Sequence, residues 1–316
     1  MKELFLLRVT SLSELISLAL FILFWAAIFA YEVKYWILFL KRKTLLPSKI
    51  ALFVHIFFIL GIFCFFYAYF IEPYWLKVNH VEIVTDKLEN TDLTIVQISD
   101  LHCDVKVRSE PKLVRIINQI NPDIIVFTGD GANTKEAVAL FKKTMASLKA
   151  KLGKFAVRGN YDWYWRNINF LKDTGFTELN SRTVILSKDG EPFAISGINF
   201  DSNLSEQRFL YEIPPSYYSI LLYHFPGINE EFWGVNVDLF LTGHTHGGQL
   251  ALPFYGAIVT LSKYGKKYEK GRYDIDGRIL YVNRGIGMEG GIAPRIRFLA
   301  RPEITVFHIR PLREEN

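Results

Sequence analysis

The segment GHTHGGQ, from Gly243 to Gln249, carries two histidines two positions apart in a glycine-rich turn. It follows the apolar run VDLFLT, whose composition predicts a buried strand. The 316-residue chain has only seven histidines, so two of them at one strand end are a marked concentration. Because α/β sheets bind their ligands beyond the carboxyl ends of the strands, we interpret His244 and His246 as part of a binding site.

Four earlier apolar runs resemble VDLFLT and also predict buried strands. They are LTIVQIS from Leu93, DIIVFTG from Asp123, FAVRG from Phe155 and SILLYH from Ser219. Apolar residues with helical spacing lie between the first and second runs and between the second and third. Strand and helix therefore alternate, and this pattern predicts an α/β layer in which these strands are parallel.

Five further runs are separated by turns with little helix between them: TVILS, FAISG, GAIVTLS, ILYVNRG and ITVFHI. This pattern predicts a second sheet with antiparallel pairing. Two stacked sheets flanked by helices accommodate both groups of runs, so we expect an α/β fold with two sheets at its centre.

Every strand end in the first group carries a side chain that could bind a metal ion. These side chains are Asp100, His102, Asp130, Asn160, His224, His244 and His246. We expect them to converge on one sheet edge. Seven nitrogen and oxygen ligands exceed the needs of one tetrahedral zinc ion and suit two divalent ions that share a carboxylate. The set contains no thiolate, which favours Mn²⁺, our first choice, or Fe, Zn or Mg.

The amino-terminal part of the chain is continuously apolar. Its two runs are Leu15 to Tyr31 and Ile50 to Phe70, of 17 and 21 residues. The second can cross a hydrocarbon core of about 30 Å, and the first can do so if its helix extends toward Trp36. We therefore predict a membrane hairpin, with an anchor over residues 1–72 and a globular domain over residues 81–316. A cleaved signal peptide is the alternative for the first run.

The connector KRKTLLPSK, from Lys41 to Lys49, carries four positive charges and no acid. The positive-inside rule then places the connector in the cytoplasm and the globular domain outside. Contact of this connector with anionic head groups is the alternative. Since most of the net charge of +5 lies in the connector, and no basic stripe is present, we predict no binding of nucleic acid.

The motifs of the globular domain, taken in order, resemble the signature of the calcineurin-like metallophosphoesterases. They are Asp100-Leu101-His102, Gly129-Asp130, Gly159-Asn160-Tyr161-Asp162, His224 and Gly243-His244-Thr245-His246. The resemblance implies a four-layer α/β/β/α sandwich and a catalytic site with two metal ions bridged by Asp130 and a hydroxide. It implies that Asp100, His102 and His246 bind one ion, and that Asn160, His224 and His244 bind the other.

One position departs from that signature. In many relatives a histidine follows the Gly-Asn pair and helps to protonate the leaving oxygen, whereas this chain has Tyr161. A phenol with a pKa of about 10 donates its proton less readily at neutral pH. We therefore predict cleavage of a pyrophosphate or an activated diester rather than a simple monoester, with Asp130, Asn160 and Tyr161 as catalytic residues. The alternative is that Tyr161 only packs against Trp163 and Trp165.

GHTHGGQ, YVNRGIG and RPEITVFHI resemble a membrane-anchored bacterial branch of the same superfamily. Some of its members are UDP-2,3-diacylglucosamine pyrophosphatases of lipid A synthesis. The resemblance implies hydrolysis of this lipid-linked nucleotide to UMP and 2,3-diacylglucosamine 1-phosphate at the bacterial inner membrane, in contact with membrane lipids. The alternatives are an outward-facing phosphodiesterase of envelope or cell-wall phosphoesters and a non-catalytic, metal-stabilised membrane scaffold. The side of the membrane stays open, because that substrate is cytoplasmic whereas the charge rule places the domain outside.

Overall fold

Two six-stranded sheets form the centre of the globular domain. The computed structural model describes residues 11–42, 48–165, 167–204, 208–232, 234–289 and 295–313. The first sheet consists, in spatial order, of β1 (Lys77–Thr85), β14 (Glu303–Pro311), β2 (Leu93–Ile98), β3 (Ile124–Phe127), β4 (Gly153–Ala156) and β5 (Thr177–Glu178). The second consists of β12 (Gly271–Ile275), β13 (Arg278–Val282), β9 (Leu239–Thr242), β8 (Tyr218–Leu222), β7 (Glu191–Gly197) and β6 (Arg182–Lys188). A short hairpin of β10 (Ala251–Leu252) and β11 (Gly256–Ala257) lies apart from both.

In the first sheet, strands β2 to β5 are parallel, as predicted. The crossover helices are α3 (Glu110–Ile120) and α4 (Val138–Ala146), which match the predicted helical spacing. Side chains of β2 alternate between two cores, as a strand that is buried on both faces requires. Leu93 and Ile95 face the second sheet, whereas Val96 and Ile98 face α3 and α4.

The membership of the sheets differs from the prediction. SILLYH and VDLFLTG form β8 and β9 of the second sheet rather than strands of the first. ITVFHI belongs to β14 of the first sheet, where it is antiparallel to β2. The second sheet is consequently mixed, since β7, β8, β9 and β13 are parallel and only its outer pairs are antiparallel. Within GAIVTLS only Gly256–Ala257 is a strand.

The predicted α/β fold with two stacked sheets is confirmed, and its fourth layer is built of 3₁₀ turns. Helices α3 and α4 cover the first sheet, and an apolar core fills the space between the sheets. The outer layer on the second sheet consists, among the described residues, of short 3₁₀ turns and loops, including Arg208–Glu212, Ile228–Glu230 and Gly265–Tyr268. Pro214, Pro215 and Gly227 interrupt the chain there and prevent a longer helix.

Two helices precede the domain: α1 (Leu12–Arg42) and α2 (Lys49–Phe66), the latter continued by a π turn and a 3₁₀ turn to Tyr74. Both are long and apolar enough to cross a membrane, which supports the predicted anchor. Helix α1 includes Trp36, so the first run does reach the necessary length. Residues 43–47 of the basic connector lie outside the described part of the chain.

Candidate metal centre

The seven predicted ligand residues lie together, but their strands belong to both sheets. Asp100 and His102 follow β2, Asp130 follows β3 and Asn160 follows β4, all in the first sheet. His224 follows β8, and His244 and His246 follow β9 of the second sheet. The expectation of one sheet edge is therefore corrected: the residues converge because the carboxyl ends of the two sheets meet.

Hydrogen bonds across the two sheets hold this junction together. The Gln97 amide donates to the carbonyl of Thr242 (2.9 Å) and to the hydroxyl of Thr128 (3.1 Å). The His224 ring bonds through Nδ1 to the carbonyl of Thr128 (2.7 Å). These groups are buried, so each bond avoids the cost of an unsatisfied polar atom, and the bonds of Gln97 to Thr242 and of His224 to Thr128 fix one sheet relative to the other.

The ligand atoms form two groups with Asp130 between them. Donor atoms of Asp100, His102 and His246 lie within 4.8 Å of one another, and so do those of Asp130, His224 and His244. Asp130 Oδ2 is 3.2 Å from His224 Nε2 and 3.6 Å from His102 Nε2, so this carboxylate faces both groups. Asn160 Oδ1 joins the second group, 3.0 Å from His224 Nε2.

Two buried atoms in the first group support metal binding there. Asp100 Oδ1 and His102 Nε2 have no hydrogen-bond partner among the described residues. A buried polar atom without a partner costs about 1–3 kcal/mol, and a cation between these atoms would satisfy both. Carboxylate, imidazole and amide donors without sulfur suit divalent ions such as Mn²⁺, Fe²⁺ and Zn²⁺.

Hydrogen bonds to the protein orient the histidine rings. Nδ1 of His102 bonds to Asn133 Oδ1 (2.8 Å) and Nδ1 of His224 bonds to a carbonyl, so in both rings Nε2 faces the site. His244 is reversed, because its Nε2 bonds to the carbonyl of Leu261 (2.9 Å). Burial lowers the pKa of His102 to about 4 and that of His244 to about 3. Both rings are thus neutral at pH 7, which is the form that binds a metal.

The backbone is strained at the ligands themselves. Five of them adopt positive φ angles, between 39° and 71°: Asp100, His102, Asp130, His244 and His246. Residues other than glycine rarely adopt this region, and such strain concentrates at functional sites. Gly243 allows the close approach of two of these turns, because a Cβ atom at this position would overlap Ser99 Oγ and Asp100 Oδ2.

Asp162 ties together the two loops that carry Asp130 and Asn160. Its buried carboxylate accepts hydrogen bonds from the backbone N–H groups of Asp130, Gly131 and Gly159, each at 2.9 Å. Asp162 belongs to the Gly159-Asn160-Tyr161-Asp162 motif, but its role could not be predicted from the motif alone. The Asn133 contact to His102 was missed altogether, although Asn133 follows Asp130 by only three residues.

Tyr161 lies at the rim of the first group. Its ring packs edge-on against His102, with centroids 4.7 Å apart, and against Tyr164. Its hydroxyl donates to Glu289 Oε1 (2.6 Å). Trp163 packs against Phe200, and the indole of Trp165 donates to the carbonyl of Ala132. Tyr161 therefore contacts a predicted metal ligand directly.

Comparison with known proteins agrees with this geometry. The calcineurin-like phosphoesterase family model matches residues 93–248. The uncharacterized metallophosphoesterase YkuE of Bacillus subtilis is 34% identical over 258 residues, which cover 77% of this chain and 89% of YkuE. An uncharacterized metallophosphoesterase of Aquifex aeolicus is 30% identical over 255 residues, or 76% of this chain and 94% of that protein.

A third relative has a stated activity. The UDP-2,3-diacylglucosamine pyrophosphatase LpxG of Chlamydia trachomatis is 27% identical over 281 residues, which cover 68% of this chain and 82% of LpxG. Two groups of buried aspartates and histidines fit divalent ions at the junction of the sheets, and similarity to metallophosphoesterases extends over most of the chain. The chain therefore belongs to the calcineurin-like metallophosphoesterases and is a phosphoester hydrolase.

Proposed function

We propose that this hydrolase cleaves the pyrophosphate of UDP-2,3-diacylglucosamine, releasing UMP and 2,3-diacylglucosamine 1-phosphate at the bacterial inner membrane. The observation that carries the proposal is the position of the metal centre, whose histidine loops adjoin the ends of the two apolar helices. Ser17 of α1 bonds to Tyr255 (2.5 Å), which lies six residues after Gln249 of the GHTHGGQ segment. The similarity to LpxG supports this substrate.

The proposal assigns each predicted ligand residue to one of two divalent ions or to both. Asp100, His102 and His246 would hold one divalent ion, and Asn160, His224 and His244 would hold the second. Asp130 would serve both. When bound, such a pair of ions supplies a hydroxide nucleophile near neutral pH and neutralises charge on the phosphoryl oxygens. The protein residues orient the ligands and exclude water, since six of the seven side chains are buried.

The surroundings of Tyr161 favour a weakly basic leaving group. Burial, and next the negative charge of Glu289, raise the pKa of Tyr161 well above its ordinary value. Its proton is also engaged by Glu289 (2.6 Å). Tyr161 is therefore a poor proton donor toward an alkoxide, whereas a phosphate monoester leaves as a stable anion without such help.

Exposed aromatic side chains near the site support an amphiphilic substrate. Phe254, between β10 and β11, is fully exposed, and Tyr255 beside it is partly exposed. Trp163 and Tyr164 are exposed next to Tyr161. Aromatic residues are favoured at the boundary between lipid and water, so these side chains suit contact with acyl chains or with the membrane surface.

The decisive experiment is hydrolysis of the lipid nucleotide. Purified full-length protein in detergent, loaded with Mn²⁺, is expected to convert UDP-2,3-diacylglucosamine to UMP and the 1-phosphate, as measured by mass spectrometry. Asp130→Ala is the inactive control. An active enzyme that hydrolyses bis(p-nitrophenyl) phosphate but leaves this lipid intact would refute the substrate and leave the hydrolase assignment untouched.

Tyr161 variants test the leaving-group argument. We expect Tyr161→Phe to keep kcat/KM for pyrophosphate cleavage within about threefold of the wild-type value, because the phenol does not protonate the leaving phosphate. Tyr161→His is expected to raise the rate toward an alkyl phosphomonoester about tenfold or more. Steady-state kcat/KM on both substrates measures this. A preference of the wild-type protein and both variants for the monoester would contradict this role of Tyr161.

One observation favours a second candidate, an outward-facing phosphodiesterase of envelope phosphoesters. Two segments beside the helices contact the domain: residues 11–17 at the start of α1 and residues 67–75, which follow α2. Both segments lie at the ends of the helices that are opposite the basic connector. If Lys41, Lys49 and the residues between them are cytoplasmic, the domain is outside. Protease protection of the domain in spheroplasts would support the cytoplasmic substrate, and digestion would support this alternative.

A further inference from the structure

The two apolar helices contact the domain at the loops that orient the metal-centre histidines. About 20 residues cross a hydrocarbon core, so spans counted from Lys41 and Lys49 leave it near Phe21 and Tyr69. The residues beyond those points, which include Glu14 in α1 and Glu72 after α2, are free to enter the domain. Both carboxylates are fully buried, which is costly unless specific partners hold them.

Glu14 connects α1 to the loop that orients His244. Its Oε1 accepts hydrogen bonds from the backbone N–H (2.8 Å) and the hydroxyl (2.7 Å) of Thr260. Its Oε2 accepts from the backbone N–H of Ser11 (3.0 Å). The next residue after Thr260 is Leu261, whose carbonyl bonds to His244 Nε2 at 2.9 Å. Glu14 is therefore separated by one peptide unit from the group that sets the orientation of His244.

Glu72 makes the equivalent connection between α2 and His246. Its carboxylate accepts from the backbone N–H groups of Leu299 (2.9 Å) and Ala300 (2.5 Å). The carbonyl of Ala300 accepts from Arg297 Nη1 (2.7 Å), and Arg297 Nη2 lies 3.3 Å from His246 Nδ1. The backbone N–H of Arg297 also donates to the carbonyl of Ala68, near the end of the second span (3.0 Å).

The loop of Arg297 to Ala300 is also bonded to the backbone at the end of the GHTHGGQ segment, and the loop of Thr260 and Leu261 reaches the same segment through His244. The backbone N–H of Phe298 donates to the carbonyl of Gln249 (2.8 Å), and that of Ala251 donates to the carbonyl of Phe298 (2.9 Å). Gln249 ends the GHTHGGQ segment. The helix ends, the two loops and the two histidines are thus connected through hydrogen bonds and the GHTHGGQ backbone, an arrangement stiffer than any of its members alone.

We propose that the membrane hairpin is a structural part of the metal centre, in which Glu14 positions His244 and Glu72 positions His246. Both glutamates are positioning residues, since each acts through a loop on a histidine. The inference rests on the two-metal centre of the proposed function, but not on the identity of the substrate. Loss of a group that orients a metal ligand typically weakens metal affinity about 10- to 100-fold.

The test uses full-length protein in detergent, stripped with a chelator and titrated with Mn²⁺, with free Mn²⁺ measured by electron paramagnetic resonance. His246→Ala and His244→Ala serve as backgrounds that each retain one ion. In the His246→Ala background, Glu14→Ala is expected to weaken the affinity for the remaining Mn²⁺ ion about 10- to 100-fold. In the His244→Ala background, it is expected to leave that affinity unchanged. Glu72→Ala is expected to weaken Mn²⁺ affinity in the His244→Ala background and to leave it unchanged in the His246→Ala background.

Two further variants distinguish a local effect on metal affinity from a general loss of structure. Thr260→Val removes one of the two donors to Glu14 from within the domain, and it is expected to show the selectivity of Glu14→Ala with a smaller effect. Glu32→Ala removes another buried carboxylate of α1, whose partner is His55 of α2 (2.7 Å), and it is expected to change neither affinity.

Unchanged affinities in Glu14→Ala and Glu72→Ala would overturn this inference, and so would an equal loss in both backgrounds. Wild-type protein that binds no Mn²⁺ would overturn the two-metal centre, and the inference with it. Two bound ions without hydrolysis of the lipid nucleotide would refute only the substrate.

Discussion

Replacing Asp130 with alanine is expected to lower phosphodiester hydrolysis at least about 1,000-fold, the loss that follows removal of a central electrostatic group from an active site. Asp130 Oδ2 lies between the two histidine groups, 3.2 Å from His224 and 3.6 Å from His102. Without this carboxylate neither ion retains its shared ligand. The measurements are kcat/KM on bis(p-nitrophenyl) phosphate with Mn²⁺ and the number of ions bound per chain.

Asp130 also has a structural contact, so the variant needs a matched comparison. Its Oδ1 accepts the backbone N–H of Tyr161 (2.7 Å). Asp130→Asn has one oxygen, which serves either that bond or the ions but not both, and we expect an intermediate loss of activity. Retention of a tenth of wild-type activity by Asp130→Ala would contradict the shared role of this residue.

The second large effect is expected at Asp162, which is not among the ligand residues of the proposed site. Asp162→Ala leaves three buried backbone N–H groups without their acceptor, those of Asp130, Gly131 and Gly159. We expect a loss of about 3 kcal/mol or more in the free energy of unfolding. Because the same loops carry Asp130 and Asn160, we also expect weaker metal binding. Urea denaturation and Mn²⁺ titration measure the two effects.

Asp123 provides the matched control for Asp162. It is also buried, accepts the backbone N–H of Thr94 (2.9 Å) and pairs with Lys188 (2.8 Å), but it lies at the amino end of β3. Asp123→Ala is therefore expected to reduce stability without changing metal affinity. If both variants reduce metal affinity equally, Asp162 is a general stability residue rather than an organiser of the metal loops.

The candidate site could be predicted because its signals are local. Each of Asp100, Asp130, Asn160 and His244 directly follows or nearly follows an apolar run, and buried strands end where such runs end. The neighbours that orient the ligands could not be predicted in this way. The carbonyls of Thr128 and Leu261 belong to backbone that any residue type provides, so no side chain in the sequence marks them.

Tyr161 shows the same division. Its place after Asn160 could be read from the sequence, and that place alone raised the question of the leaving group. Its partner Glu289 lies 128 residues further along the chain, and only folding brings its carboxylate within 2.6 Å of the phenol. The resulting rise in the pKa of Tyr161 is a property of this pairing and of burial.

The sequence by itself determined the apolar helices, the alternation of strand and helix and the identity of the candidate ligand residues, because periodicity and composition act over a few neighbouring residues. The tertiary structure decided which sheet each strand joined, since β8, β9 and β14 are chemically equivalent apolar runs whose partners depend on pairing between distant segments. It also decided that the hairpin ends reach the metal centre. The buried carboxylates of Glu14 and Glu72 accept hydrogen bonds from Thr260 and Leu299, in loops more than 200 residues away along the chain. A buried carboxylate needs such donors, and only the packing of distant segments brings them to it.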